Sequence, residues 1–345
     1  MEYQNDINNL QISDKINCPL CNHNVSRKIL NLKTGNFDQS TLYADIRVVS
    51  CLQCGHVFNV LSEDEFEGLT NYYSQEYAPV NLNSKDKVGD LPGSNNPHTI
   101  NRYHKLFTFV KKYITPNMHI LDVGCSKGGF LKFLQEQGCD RLAGIDIAED
   151  YLSKAKVLLP DCPIKFGSAE RIPFDNNSFD FILMDQVMEH LRDPIKAIQE
   201  ARRVLRPSGV LYLGVPDANR YDKNYFFDFY WFLLREHIQH FDLAHISLLA
   251  AKEGFLLIDN LENDSIMMNE RMVLPNLNVM FKLGDEKIIT KNNESSFSLT
   301  KKIKKYVADN FVKLKHRQDF FSAIAEDQRP IYVRFYINIE IIKIF

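Results

Sequence analysis

The spacing of apolar positions changes near residue 99. Before it, apolar residues come in short runs, Ile46–Val49 and His56–Val60, which read as strands. After it, helical spacing alternates with compact apolar runs. Arg102–Ile114 places Leu106, Phe109, Val110 and Tyr113 at helical intervals. His119–Val123, Leu142–Ile147, Phe179–Met184 and Val210–Val215 read as buried strands, with Lys165–Gly167 as a shorter one. Phe130–Gln137, closed by Gly138, and Asp150–Leu159 read as the intervening helices. Asp193-Pro194 opens a third that runs to Leu205, with Asp capping the first turn and Pro in the first helical position. Pro207-Ser208-Gly209 is expected to turn the chain. Phe255–Asn260 and Asn276–Leu283 read as strands, and Leu299–Lys315 as an amphipathic helix. The last run, Pro330–Phe345, is β-branched and apolar enough to need a partner surface. Strands alternating with helices of this length predict an α/β fold with a doubly wound, mostly parallel sheet.

The same reading divides the chain into a cysteine-bearing module over 1–75, a linker over 76–98, a core over 99–284 and a C-terminal α+β extension over 285–345. Asn81–Pro97, rich in Asn, Lys, Asp, Gly and Pro, has little to bury and marks the linker. Apolar residues make up 45% and charged residues 25% of the 345, which excludes a mostly disordered chain. A net charge of −3 supplies no global field for nucleic acid or an anionic membrane, so nucleic acid is a disfavoured partner. There is no 18-residue apolar run of the kind that spans a bilayer. The N-terminus is polar and acidic, unlike a secretory signal, so a reducing, cytoplasmic setting is expected.

Four of the seven cysteines form two pairs, Cys18-Pro-Leu-Cys21 and Cys51-Leu-Gln-Cys54, separated by 29 residues. Two such knuckles place four thiolates around a Zn²⁺ ion, and with all ligands from protein the site is closed and structural. Gly55 eases the second turn. Cys125, Cys139 and Cys162 read as small packing residues.

The candidate cofactor loop follows the first core strand: Leu121-Asp-Val-Gly-Cys-Ser-Lys-Gly-Gly-Phe130. Gly124, Gly128 and Gly129 let the backbone approach a ligand. Neither the dinucleotide spacing GxGxxG nor the phosphate loop GxxxxGK[ST] is present. Asp122 at the strand end suits a ligand with positive charge, such as a sulfonium or an ammonium. Asp146, ending the second strand, suits a pair of ribose hydroxyls.

These residues resemble the first motifs of class I S-adenosylmethionine-dependent methyltransferases. The resemblance runs from Asp122–Gly128 through Gly144-Ile-Asp146, Gly167–Phe174, Phe179–His190 and Glu200–Gly209, covering roughly residues 100–283. It implies a seven-stranded core binding S-adenosylmethionine. Gly124 and Gly128 would flank its methionine part and Asp146 its ribose. Ser168 and Ala169 would lie against adenine, and Asp185-Gln186 would line the mouth. Ser126 stands where the family often has a second glycine, and Ser168 where an Asp is common.

A zinc module before such a core is similar to two groups. One, the ribosomal RNA guanine methyltransferases, also begins with CPLC but takes its second ligand pair sooner and includes a histidine. The other, the sugar C-methyltransferases acting on nucleotide-linked deoxysugars, has the same order: two CxxC pairs, a Tyr-rich segment like Tyr72–Tyr77, then the core. Their Glu-His pair is matched by Glu236-His237, with His240-Phe241 following. Glu236, His237 and His240 are therefore the expected catalytic residues, with a Glu-supported His removing a proton from the acceptor. They close a long aromatic segment, Tyr221–Ile246, in which Tyr225 and Tyr230 are candidates to hold an oxyanion. That group continues into a second α/β unit after the core, whereas one helix and one strand-like run are expected here, and the C-terminal strand is a candidate for self-association. The expected reaction is methyl transfer to a small molecule, a sugar nucleotide or a glycan or natural-product precursor. An RNA methyltransferase using the zinc module to hold RNA, and a non-catalytic binding protein on a degenerate core, stand as alternatives. Lys301–Lys305 and Lys313–Arg317 are the basic runs that the RNA reading would use.

Overall fold

A computed structural model of the chain describes residues 16–24, 26–33, 42–43, 45–76, 97–221, 235–269, 272–284 and 298–305. Pro330–Phe345, Tyr225, Tyr230 and Lys313–Arg317 lie outside them.

The core is one seven-stranded sheet. In chain order its strands are β4 (Ile120–Val123), β5 (Leu142–Asp146), β6 (Ile164–Phe166), β7 (Phe179–Asp185), β8 (Leu205–Pro216), β10 (Phe255–Asn269) and β11 (Met272–Leu283). In space they run β10-β11-β8-β7-β4-β5-β6. Strands β4 to β8 pair in parallel, whereas β11 is antiparallel to β8 and β10 to β11. The winding reverses between β4 and β7, and their carboxyl ends therefore open the crevice in which doubly wound sheets bind ligands.

Alternate residues of each strand feed opposite faces. Ile120, Phe181, Leu183, Tyr212 and Met280 pack on helices α2 (Pro97–Val110), α3 (Gly129–Glu136) and α4 (Glu149–Leu158). Leu121, Val123, Ile182, Met184, Leu213 and Val279 pack on α5 (Pro194–Val204), α6 (Leu243–Lys252) and the cysteine knuckles. Each fully buried large side chain, such as Phe181 or Tyr212, contributes about 1.5–3 kcal/mol. Cys125 and Cys139 are buried in the first of these clusters, with Cys162 packed against it.

Three sequence expectations are corrected. Pro207-Ser208-Gly209 does not end a turn before a new strand; β8 runs unbroken from Leu205, and Phe179 and Phe181 pair with Leu205 and Val210, so residues 206–209 bulge opposite one residue. Ser208 absorbs the kink at φ 61°. The strand expected over Phe255–Asn260 extends to Asn269, because pairing with β11 carries it through a polar stretch with three register shifts. Helix α2 begins at Pro97, whose fixed φ suits the first turn, rather than at Arg102.

A second, four-stranded sheet carries the cysteines. Strands β1 (Ser26–Lys33), β2 (Asp45–Cys51) and β3 (Val57–Asn59) pair antiparallel, and its fourth strand, β9 (Gln239–His240), comes from the chain between β8 and α6. Helix α1 (Glu63–Asn71) follows β3 and is held by a capping box, in which Ser62 and Glu65 satisfy each other's backbone N–H groups. Tyr72–Glu76 continue it as a π-helical turn. A helix over 298–305 packs on the knuckle side, where Thr300 donates to the carbonyl of Gly55 at 3.0 Å.

Candidate functional site

Two half-sites meet at the carboxyl ends of β4 and β7. The first is built by the loop after β4. Gly124 has φ +80°, and an added Cβ would stand 2.7 Å from Val187 Cγ2, so this position admits only glycine without displacement. Gly128, also at positive φ, opens α3. Ser126 occupies the left-handed region at φ 50°, which explains why a glycine is common there; its N–H donates to Asp146 Oδ2 at 2.8 Å. Asp146 Oδ1 accepts from Ala148 N at 2.9 Å, so the carboxylate fixes the loop ahead of it and the helix entry behind it.

Three carboxyl groups, Asp122, Asp146 and Asp185, crowd this crevice. Asp122 is buried, and desolvation together with the charges of Asp185 and Asp146 pushes its pKa up to about 8. Burial raises Asp146 as well, against the pull of its backbone donors. Arg102 of α2 donates to Asp185 Oδ2 at 2.6 Å, and Tyr212 donates to Asp185 Oδ1 at 3.2 Å. Gln186, at φ 59°, donates through its side chain to Asn276 Oδ1 at 2.9 Å. Ser168 forms a β-bridge with Arg171, and Ala169 is buried beside it. Asp185 is paired with Arg102, and Asp122, once ionised, suits a ligand with a positive centre. The donor set fits the sulfonium and ammonium of S-adenosylmethionine, with Asp146 free to accept further hydrogen bonds on its remaining lone pairs.

The second half-site joins the turn after β7 to the segment before β9. His190 Nδ1 lies 2.6 Å from Tyr73 Oη and 2.9 Å from the carbonyl of Glu236, which fixes a proton on that nitrogen. The His190 and His237 rings meet edge to face with centroids 4.8 Å apart. Tyr72 donates to Glu236 Oε1 at 3.1 Å. Glu189, His190 and His237 bring one ligand-type atom each within 4.8 Å of one another. Glu189 is 1% exposed, neither of its carboxylate oxygens has a hydrogen-bond partner among the described residues, and burial drives its pKa well above the usual range. Burial drives His237 well below its ordinary pKa and His190 down to about 4, so both rings are neutral near pH 7.

Of the expected catalytic residues, the fold thus brings Glu236 and His237 together with His190, Glu189, Tyr72 and Tyr73. His240 is placed differently. It is fully buried in β9, its Nε2–H donates to Asn59 Oδ1 at 3.0 Å, and Nδ1 faces Tyr221 Oη at 3.3 Å. Those partners make it a packing histidine that ties β9 to β3. Tyr72, Tyr73 and His190 stand in motifs that the sequence displays, but only the three-dimensional contact assigns them to one site.

The four knuckle cysteines are free thiols whose sulfurs converge, with Cys18–Cys54 at 3.6 Å and Cys21–Cys51 at 3.5 Å. Tetrahedral zinc with Zn–S bonds of about 2.3 Å requires sulfurs about 3.8 Å apart, so the set fits. The two knuckles are alike. Leu20 N–H and Gln53 N–H point at Cys18 and Cys51 sulfurs, and Asn22 and Gly55, each directly after the second cysteine, take positive φ.

Residues 97–260 match the family described as "Methyltransferase domain". The strand order is that of an α/β, class I methyltransferase-like Rossmann fold with a mixed sheet, and the chain carries an N-terminal cysteine cluster consistent with a zinc module. An uncharacterized methyltransferase of Schizosaccharomyces pombe is 33% identical over 117 residues, 30% of this chain and 41% of that protein. The ubiquinone/menaquinone biosynthesis C-methyltransferase UbiE of Rickettsia akari is 32% identical over 142 residues, 37% of this chain and 56% of that protein. The chain thus spans roughly two fifths to just over half of these curated relatives. Among solved structures, a protein of Pyrococcus horikoshii aligns at TM-score 0.47 and 20% identity, covering 61% of this chain and 99% of that one. A SAM-dependent methyltransferase of Methanosarcina mazei aligns at TM-score 0.44 and 21% identity, covering 52% and 98%. Among the described residues no helix is long and apolar enough to cross a membrane.

Proposed function

We propose that the chain is an S-adenosylmethionine-dependent methyltransferase acting on a small molecule, of the sugar-nucleotide or glycan-precursor class. The observation that carries the reading is the junction of the two half-sites: Met188–His190 directly follows β7, whose last residue is Asp185. Asp122, Gly124, Gly128, Asp146, Ser168, Ala169, Asp185 and Gln186 would hold the cofactor, and Cys18, Cys21, Cys51 and Cys54 a structural Zn²⁺. S-adenosylmethionine supplies an electrophilic methyl on a sulfonium. The protein's part is to align the acceptor with it and to take the acceptor's proton. His237 is the base: kept neutral by burial, it is competent at any pH above its lowered pKa. Glu236, oriented by Tyr72, and His190, oriented by Tyr73, form the polar wall around it.

The RNA reading needs a basic surface on the module. Its buried face is instead committed to the core, and the net charge is −3. The reading is tested with methyl-labelled cofactor and a panel of sugar nucleotides, with mass analysis of the product. Once an acceptor is found, His237→Asn should lower turnover by roughly 10²–10⁴ while cofactor affinity holds within about twofold. Full turnover in that variant refutes the assignment of the base.

A further inference from the structure

The segment that carries Glu236 and His237 is not held by the methyltransferase core alone. It is held largely by the cysteine module. Strand β9 pairs antiparallel with β3, Val57 opposite His240 and Phe58 opposite Gln239. Asn59, the last residue of β3, sits at the centre of the contact. Its backbone N–H donates to the carbonyl of Ile238 at 2.8 Å. Its side-chain Nδ2 donates to the carbonyl of His237 at 3.3 Å and to Tyr43 Oη at 3.0 Å, and its Oδ1 accepts from His240 Nε2 at 3.0 Å. Tyr43 in turn donates to the carbonyl of Arg235 at 2.6 Å, while Arg235 Nη1 donates to the carbonyls of Leu42 and Tyr43. His56 Nε2 donates to Gln239 Oε1 at 2.9 Å, and Gln239 Nε2 reaches the carbonyl of Leu191 at 3.0 Å. Asn59, Tyr43, Arg235, Gln239 and His240 are all buried.

The polar character of this contact is the informative part. Apolar residues would join two sheets at lower cost, since every buried polar group here must find its partner. Directional bonds fix a backbone in place where apolar packing would let it slide. The bonds fall on the carbonyls of residues 235, 237 and 238, so they define the path on either side of Glu236 and His237. Strand β3 is itself the continuation of the second knuckle. Cys54 leads through Gly55 and His56 into Val57, and Cys51 N–H donates to the carbonyl of His56 at 2.9 Å.

We infer that Asn59 is a positioning residue for His237, and that the four-cysteine module works as the clamp that sets the acceptor half of the site. The inference rests on the assignment of His237 as the base. Asn59 touches neither reacting atom in this account. It fixes the main chain on which the imidazole stands.

The test uses the full chain carrying Asn59→Ala and, as a milder change that leaves packing almost intact, Tyr43→Phe. Zinc content is measured first, then S-adenosylmethionine affinity by calorimetry, amide hydrogen exchange, and acylation of His237 by diethyl pyrocarbonate followed by peptide mass analysis. In Asn59→Ala, exchange over residues 235–240 and the rate of His237 acylation should both rise by at least about tenfold, with a smaller rise in Tyr43→Phe. Exchange at Ile120–Val123 and cofactor affinity should stay within about twofold of the parent, because those contacts belong to the other half-site. Stripping the metal from the parent chain with a chelator should reproduce the pattern. Unchanged exchange and acylation in both variants overturn the inference. So does a parallel loss over 235–240 and 120–123 in both variants, which would make Asn59 a general fold residue. If the parent chain binds no S-adenosylmethionine, the methyltransferase reading fails, while the exchange pattern still decides whether the module clamps the segment.

Discussion

Asp122 offers a quantitative probe of the cofactor half-site. Its pKa of about 8 means that near pH 7 it carries a proton in roughly nine molecules of ten. A bound sulfonium or ammonium on the order of 5 Å away, at an effective dielectric near 20, favours the ionised form by about 3 kcal/mol, or roughly two pKa units. Binding the cation should therefore expel a proton, and affinity should rise with pH until Asp122 is ionised in the free protein. The free ligand complicates the measurement, because an α-amino group titrates near 7.7–8.0. Asp122→Asn removes this difficulty. It mimics the protonated acid, leaves the ligand's own titration in place, and isolates the Asp122 contribution as a ratio. The parent and variant should bind alike near pH 5.5, and the parent should gain up to about 100-fold over the variant by pH 9. Calorimetry in two buffers of different ionisation enthalpy should show about 0.8 proton released by the parent at pH 7 in excess of the variant. A ratio that stays flat from pH 5.5 to 9 refutes the placement of Asp122 against a positive centre. A uniform loss in the variant at all pH values would mean that the side chain is needed only for loop structure.

Asp146→Ala should weaken S-adenosylmethionine roughly 10- to 100-fold, since a charged acceptor and the tether to Ser126 N and Ala148 N go together; calorimetry reads it, and unchanged affinity would place the ribose elsewhere. Elemental analysis of chain purified without chelators should give one zinc per molecule, and Cys18→Ser should abolish it and melt the β1–β3 sheet, an outcome that a metal-free, fully folded protein would contradict. Glu189 has its folded pKa raised, so the folded state holds a proton that the unfolded chain gives up near pH 4.5, and stability falls as pH rises above that value. Glu189→Gln should therefore melt at the same temperature as the parent near pH 4 and at an equal or higher one at pH 7.5; a lower melting temperature at pH 7.5 would show that the carboxylate is needed ionised.

The residues proposed to hold the cofactor are legible as a group because they are local. Asp122, Gly124 and Gly128 fall in seven residues of one strand–turn–helix unit, and periodicity alone located β4, β5 and β7. The knuckles were legible for the same reason, each being a turn of a few residues with a fixed cysteine spacing. The acceptor half-site is made of pieces from residues 43–73, 189–190 and 235–240, and nothing in the local pattern of any one piece announces the others. His190 stands 117 residues from Tyr73, whose hydroxyl lies on its ring nitrogen. Strand β9 is two residues long, too short for a period of two to register, and exists because β3 offers it an edge. Helix α1 did carry a readable signal, the Ser62–Glu65 capping box, which the apolar pattern alone passes over. His240 misleads for the opposite reason. A histidine beside a catalytic-looking pair is indistinguishable in sequence from one whose two nitrogens are spent on Asn59 and Tyr221.

The two half-sites differ in charge, and the difference suits the chemistry proposed. The cofactor half gathers carboxyl groups, whereas the acceptor half is lined by imidazoles that burial keeps neutral. In the proposed transfer S-adenosylmethionine would supply the methyl to the acceptor atom, and His237 would take the proton that atom gives up. One positive charge would thus leave the cofactor half and reappear in the acceptor half. A dry site makes the first event favourable, because a sulfonium poorly solvated in its pocket gains by losing its charge. It makes the second costly, because the same burial depresses the basicity of His237. The carboxyl group beside the new imidazolium is Glu189, which offers an oxygen within 4.8 Å of a ring nitrogen of His237. A carboxyl group that gives its proton to solvent as the imidazole gains one would lower that cost without a standing charge in the resting site. On this argument the buried acid that destabilises the free protein is kept because it stabilises the protonated state reached after the methyl has moved.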